Sequence, residues 1–177
     1  RGLAVIVEHE GRLAALLVLE RNPSEALIPH VLGMARTGGG RVPEAAFSAL
    51  RKLMPLSQKD YMPEILPLLA DGTAVVRNGA VSLLVKTPSA VLANAFCAYF
   101  SGASAWVRDR ALESAAKGLP EFIPQLLVLT RSQDEEISRS ASEMSLVLSD
   151  PRCIPIWVEL LRHRDWWRRS RALECLG

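Results

Sequence analysis

Tryptophan and arginine are the side chains of this chain best suited to binding chemistry. Residues 162–171 hold five arginines, one histidine and one aspartate around Trp166 and Trp167, and a second cluster sets Trp106 beside Arg108, Asp109 and Arg110. Guanidinium groups among large aromatic rings suit two tasks: anchoring a protein partner, and gripping phosphate or unpaired bases. The plainer reading is that the tryptophans pack between repeats or against a missing next repeat, and that the basic run is a solvated helix end. A net charge of +2 and an isoelectric point near 8.6 are mild. A dedicated nucleic-acid domain concentrates its basic excess and has an isoelectric point above about 9. Nucleic acid is therefore not favoured.

Enzyme and cofactor signatures are missing at sequence level. Gly33 and Gly38-Gly39-Gly40 have the spacing of a phosphate loop but lack its lysine and hydroxyl residue, and they follow a helical pattern where that loop follows a strand. His9, His30 and His163 fall far apart, with no HExxH pairing and no GxSxG. Cys97, Cys153 and Cys175 show neither CxxC nor Cys/His spacing, so no metal and no disulfide framework is expected. They read as small core residues in a reducing compartment. No run reaches the roughly 18 apolar residues of a membrane span. The expectation is a cytoplasmic chain with no cofactor and no membrane contact.

What positions these side chains is a ladder of alanines at 15, 46, 80, 111, 141 and 172, spaced 31, 34, 31, 30 and 31 residues apart. Pro29, Pro63, Pro124 and Pro155 each lie 17 residues before an alanine of the ladder, and Asn94 takes that place before Ala111. Two registers in phase mark stacked helical repeats, in which each unit buries its apolar face only against its neighbours. The breaks and stripes predict helix pairs over 23–36 with 42–54, 58–70 with 73–86, 88–101 with 104–117, 120–131 with 135–148 and 151–162 with 166–176. Ahead of them come the end of one helix and a partner at 11–20. Asn22-Pro23, Thr87-Pro88 and Asp150-Pro151 read as caps followed by a first-turn proline, with Leu119-Pro120 a weaker version. Ser57 with Asp60 reads as a capping-box start. The ladder prolines read as kinks inside first helices, where proline costs about 3 kcal/mol. The long interval puts extra residues near 54–59, and residues 37–40 form a flexible turn.

Ile28-Pro29, Met62-Pro63, Ile123-Pro124 and Ile154-Pro155, followed by a turn, together with Val76-Arg77-x-x-Ala80 and Val107-Arg108-x-x-Ala111, resemble HEAT repeats. The likeness is to the short bacterial type, similar to the repeats of phycobilisome-lyase-like proteins. It covers the whole chain. It implies an all-α fold: a right-handed α-solenoid of antiparallel helix pairs, ARM/HEAT-like, forming one domain over 1–177. About six pairs are expected, the first truncated, in a piece excised from a longer protein. The family arginine stands at Arg12, Arg77, Arg108 and Arg169, and the resemblance implies that it bonds acidic or carbonyl groups of neighbouring repeats, with Asp71 a candidate partner. Pro43 and Ser138 replace it elsewhere, and Arg168 replaces the apolar residue before Arg169, which points to a different start for the last helix.

Positions two before and two after each alanine are four apart, so they share a helical face. They are polar throughout: Glu44/Ser48, Asn78/Ser82, Asp109/Glu113, Arg139/Glu143 and Ser170/Glu174. Their mixed sign does not make a simple phosphate groove. The expected function is a non-catalytic scaffold, holding another protein or another domain of its own chain on a concave surface. The expected contact residues are Arg77, Trp106, Arg108, Asp109, Glu113, Arg139, Glu143, Trp166, Trp167 and Arg168. Three rivals stand beside it. One is a nucleic-acid or phosphate binder, one a protein like the alkylpurine DNA glycosylases, whose aromatic and charged mixture is loosely imitated by Trp106, Asp109, Arg139 and Trp167, and one a chromophore lyase.

Overall fold

The structure, a computed structural model, describes residues 2–21, 23–119, 121–148 and 150–177, with side chains from Glu10 onward except Glu20. All regular structure among the described residues is helical. Two compact units divide the chain, residues 1–86 and 87–177. The first holds α1 (Gly2–Arg21), α2 (Ile28–Thr37), α3 (Val42–Leu53), α4 (Met62–Ile65) and α5 (Ala74–Leu84), and α3 packs against α1, α2 and α5. The second holds α6 (Ser89–Phe100), α7 (Ala105–Gly118), α8 (Phe122–Leu129), α9 (Glu135–Ser145), α10 (Ile154–Leu160) and α11 (Trp166–Leu176). There α6 packs on α8 and α9, α8 on α9, and α10 on α9 and α11. The expected caps at Asn22 and Pro120 and the side chain of His9 lie outside the described residues.

The ladder is a burial ladder. Ala46, Ala80, Ala111, Ala141 and Ala172 are all completely buried, and a small side chain at a buried helix contact lets neighbouring helices pack closely. Ala15 departs from it. That alanine is exposed, and the adjacent Leu16 is buried, alone among the described side chains of α1. The expected break before residue 11 is also absent, since α1 runs unbroken from Gly2 to Arg21. Gly11 inside it costs a helix only about 1 kcal/mol, too little to end one.

The prolines correct a second expectation. Pro29, Pro63 and Pro155 stand in the first turns of α2, α4 and α10, and Pro124 is the third residue of α8. The amide that proline lacks has no partner inside the helix at these positions, so there is no kink and no lost bond. What reads as helix before Pro29 and Pro155 is a 3-10 turn, Glu25–Leu27 and Pro151–Cys153.

Aspartate supplies the helix starts. Carboxylates of Asp60, Asp71, Asp134, Asp150 and Asp165 accept the amides of Met62, Thr73, Glu136, Arg152 and Trp167 at 2.8–3.0 Å. Each satisfies one of the orphan donors of a helix entry. The cap at Asp150 is as the sequence predicts. The start predicted at Ser57 moves to Asp60, while α6 begins at Ser89 with no side-chain cap bond. The longest ladder interval contains a 3-10 turn at Met54–Leu56 and the loop after it. In the turn before α3, Gly40 takes a φ of 55°, a backbone region open to glycine.

Two of the ladder arginines tie the turn between helices to the second helix. Arg77 Nη1 donates to the carbonyls of Asp71 (2.7 Å) and Gly72 (3.1 Å), and Arg169 Nη1 does the same to His163 (2.7 Å) and Arg164 (2.9 Å). Both reach six and five residues back, within their own turn and not into a neighbouring repeat. Where Ser138 replaces the arginine, its hydroxyl donates to Thr130 O at 2.6 Å, so the turn carbonyl is still satisfied. Pro43 falls in the first turn of α3, which starts four residues before its alanine. By contrast α5, α7, α9 and α11 all start six before theirs, so Arg168 does not shift the last helix.

Contacts between successive helix pairs are close. A Cβ on Gly79 of α5 would lie 2.1 Å from the ring of Phe47 on α3, and that ring is buried. Gly33 of α2 has nothing within 4 Å of its Cβ position. Two glycine-to-alanine changes should therefore have opposite signs. Gly33→Ala is expected to stabilise by about 0.5–1 kcal/mol through helix propensity, whereas Gly79→Ala is expected to destabilise by about 1–3 kcal/mol through overpacking. Paired urea melts check this. A stabilised Gly79→Ala would contradict the packing.

Candidate functional site

Three of the predicted residues meet in the second unit. Glu143 of α9 lies between two arginines, with Arg108 Nη1 of α7 3.8 Å from Oε2 and Arg168 Nη2 of α11 3.6 Å from Oε1. Both guanidiniums are largely covered, their side chains 18% and 13% exposed. Arg108 also holds Asp109 through Nε at 3.3 Å. One carboxylate thus neutralises cations from two other helices, in surroundings drier than an open surface. At these separations and exposures the attraction is modest, of order 1 kcal/mol.

Arg168 has a further neighbour that the sequence reading set aside. Asp165 N donates to His163 Nδ1 at 3.1 Å, which leaves Nε2 facing Arg168 Nη1 at 3.4 Å. Burial, and then the Arg168 charge, hold the imidazole below its ordinary pKa. No motif marked His163, because its neighbour is set by the turn at Asp165.

The other predicted residues lie apart from this bridge. Glu113 pairs with Lys117 on the exposed side of α7, and Arg139 is exposed on α9. Arg77 belongs to the first unit and serves its own turn. Trp106 is 63% exposed with the Arg110 guanidinium 5.1 Å from its ring, while Trp166 and Trp167 are 69% and 47% exposed. Their register decides the packing question. The residues six before the ladder alanines, Gly40, Ala74, Ala105, Glu135 and Trp166, are all exposed. So are the five one step on, Arg41, Val75, Trp106, Glu136 and Trp167. Helix packing leaves these positions open at every interval, so packing between repeats does not account for tryptophan there.

Thiol chemistry has little support. Burial pushes Cys97 and Cys153 up to about 12, and it raises Cys175 as well. Among the described residues no three His, Cys, Asp or Glu side chains form a metal-binding group, and no helix is long and apolar enough to cross a membrane. A groove of about 560 Å³ beside Leu146, Leu148, Ile154 and Trp157 has Arg171 and Glu174 in its wall, and no predicted residue lines it.

The His163 surroundings give a signed expectation. A histidine whose folded pKa is lowered binds its proton less readily than in the unfolded chain. Folding therefore weakens as pH falls below the ordinary value of 6.5 and through the lowered one. An NMR titration should place the His163 midpoint below 6.5, and Arg168→Met should raise it. A midpoint unmoved by that substitution would remove Arg168 as a cause.

Comparison with protein-family models, with curated proteins and with solved structures finds no match for this chain.

Proposed function

We propose that the chain is a HEAT-like α-solenoid, a right-handed stack of antiparallel helix pairs working as a non-catalytic scaffold that holds another protein or another domain of its own chain. The observation that carries this reading is the exposure of Trp106, Trp166 and Trp167 at register positions that packing leaves open throughout. Large rings cost solubility when they face water, and in protein interfaces tryptophan and arginine are the usual anchors. Trp106 has Arg110 over its face, and Trp167 adjoins Arg168. The ladder of buried alanines, the short turns and the packing of successive helices support a stacked-repeat architecture.

The same contacts weigh against a phosphate groove. Arg108 and Arg168 are directed at Glu143, Arg169 at turn carbonyls and Arg171 at Glu174. Cations engaged this way release few counterions on meeting a polyanion.

The test is cross-linking capture from the native extract with wild type and with the pair Trp106→Glu, Trp167→Glu. Both rings are exposed, so the fold is expected to persist. Loss of an anchor costs about 2 kcal/mol or more, roughly a thirtyfold weaker complex. Partners retained in full by the double variant would place the contact elsewhere. Tight oligonucleotide binding, falling by about 0.9 log unit per phosphate contact for each log of salt, would favour the nucleic-acid reading instead.

A further inference from the structure

The turn between α10 and α11 sets an N–H donor against each nitrogen of one imidazole. The Asp165 amide lies 3.1 Å from His163 Nδ1, and Arg168 Nη1 lies 3.4 Å from Nε2. A neutral ring has one lone pair to offer, so it can accept from only one of the two. An imidazolium has none. Protonation therefore turns the Asp165 contact into donor against donor, and it brings a second full positive charge up to the Arg168 guanidinium.

The surroundings decide which part gives way. Arg169 Nη1 holds the carbonyls of His163 and Arg164 at 2.7 and 2.9 Å, so the backbone of the turn is fixed. Cations prevail around the ring: Arg168 and Arg169 from α11 and Arg164 from the turn, against Asp165, whose Oδ1 accepts the Trp167 amide at 2.9 Å. Arg162, just ahead of the ring, is exposed. From α9, Glu143 Oε1 lies 3.6 Å from Arg168 Nη2, and Glu159 of α10 is engaged by Arg131. His163 itself is half-buried, so a charged ring can leave by rotating into water.

We propose that His163 is a proton-operated latch on the start of α11: the neutral ring holds the turn at 163–165 to the helix, and the imidazolium swings out, freeing Arg168 for Glu143 and resetting the first turn that carries Trp166 and Trp167. Asp165 transmits the change, because it both donates to the ring and caps that turn. With the ring in place its pKa lies below the ordinary 6.5, and with the ring in water it returns there. Opening is therefore favoured as pH falls, by about tenfold per pH unit between 6.5 and the lowered value, and it levels off beneath that value. A bearing on partner binding rests on the reading of the two rings as anchors; the latch itself does not.

Heteronuclear NMR of the 177-residue chain from about pH 7.5 to about pH 5 tests this without any partner. The indole N–H signals of Trp166 and Trp167 should move with the His163 midpoint, while that of Trp157, bonded to the Ser145 carbonyl, stays still. His163→Gln, which does not titrate, should flatten both curves with the helical circular dichroism unchanged. If that variant loses helicity, Arg168→Met gives the same reading, since its tryptophan curves should shift upward together with its histidine midpoint. Indoles that stay still while His163 titrates, curves that persist in His163→Gln, or curves that part from the histidine midpoint in Arg168→Met would each overturn the latch. None of these outcomes touches the partner reading, which stands or falls on capture by the Trp106→Glu, Trp167→Glu variant.

Discussion

Close approach of helices over a residue no larger than a methyl group is the constraint on which the rest depends. The five ladder alanines from Ala46 onward are completely buried, so a larger side chain at any of them would have to displace its neighbours. Gly79 carries the same logic one step further, letting the Phe47 ring lie where a methyl would stand. Because these contacts set the azimuth of each second helix, they decide which side chains turn inward and which stay in water. The openness of the tryptophan positions follows from the same rotation. So do the covered flanks of Arg108 and Arg168.

Much of the fold was legible because its punctuation is local. Asp150-Pro151 starts its helix through a bond two residues on, as the sequence reads, and the predicted helix starts at 135 and 166 fall directly after Asp134 and Asp165, whose carboxylates the structure shows bonding amides two or three residues on. Errors arose where local signals were weak or ambiguous. Gly11 and its polar neighbours look like a break but do not end α1, and the ladder extended to Ala15 by spacing alone, one residue off the buried Leu16. A proline in a first turn and a proline in a helix interior read alike until the preceding 3-10 turn is seen.

The candidate site was legible in parts. Its members were found singly, from residue type and register, but their grouping was not. Arg108, Glu143 and Arg168 stand three before, two after and four before their respective alanines, so no stripe on a helical wheel joins them. Their meeting depends on how α7, α9 and α11 are rotated in the unit, and on side chains long enough to span the gap. His163 escaped for the same reason, since its neighbour is set by the turn at Asp165.

One feature of α9 bears on how such a sequence is to be compared with others. Ser140, Ser142 and Ser145 are buried, yet each hydroxyl is satisfied by a backbone carbonyl, of Cys97, Ser138 and Ser142 respectively. Hydroxyl and methyl groups are nearly equal in volume, and a hydroxyl bonded in this way does not carry the full penalty of burial. What this interior selects is therefore bulk more than polarity. An alignment weighted by hydrophobicity would score α9 as a surface helix, whereas one weighted by side-chain volume would set it in register with its neighbours.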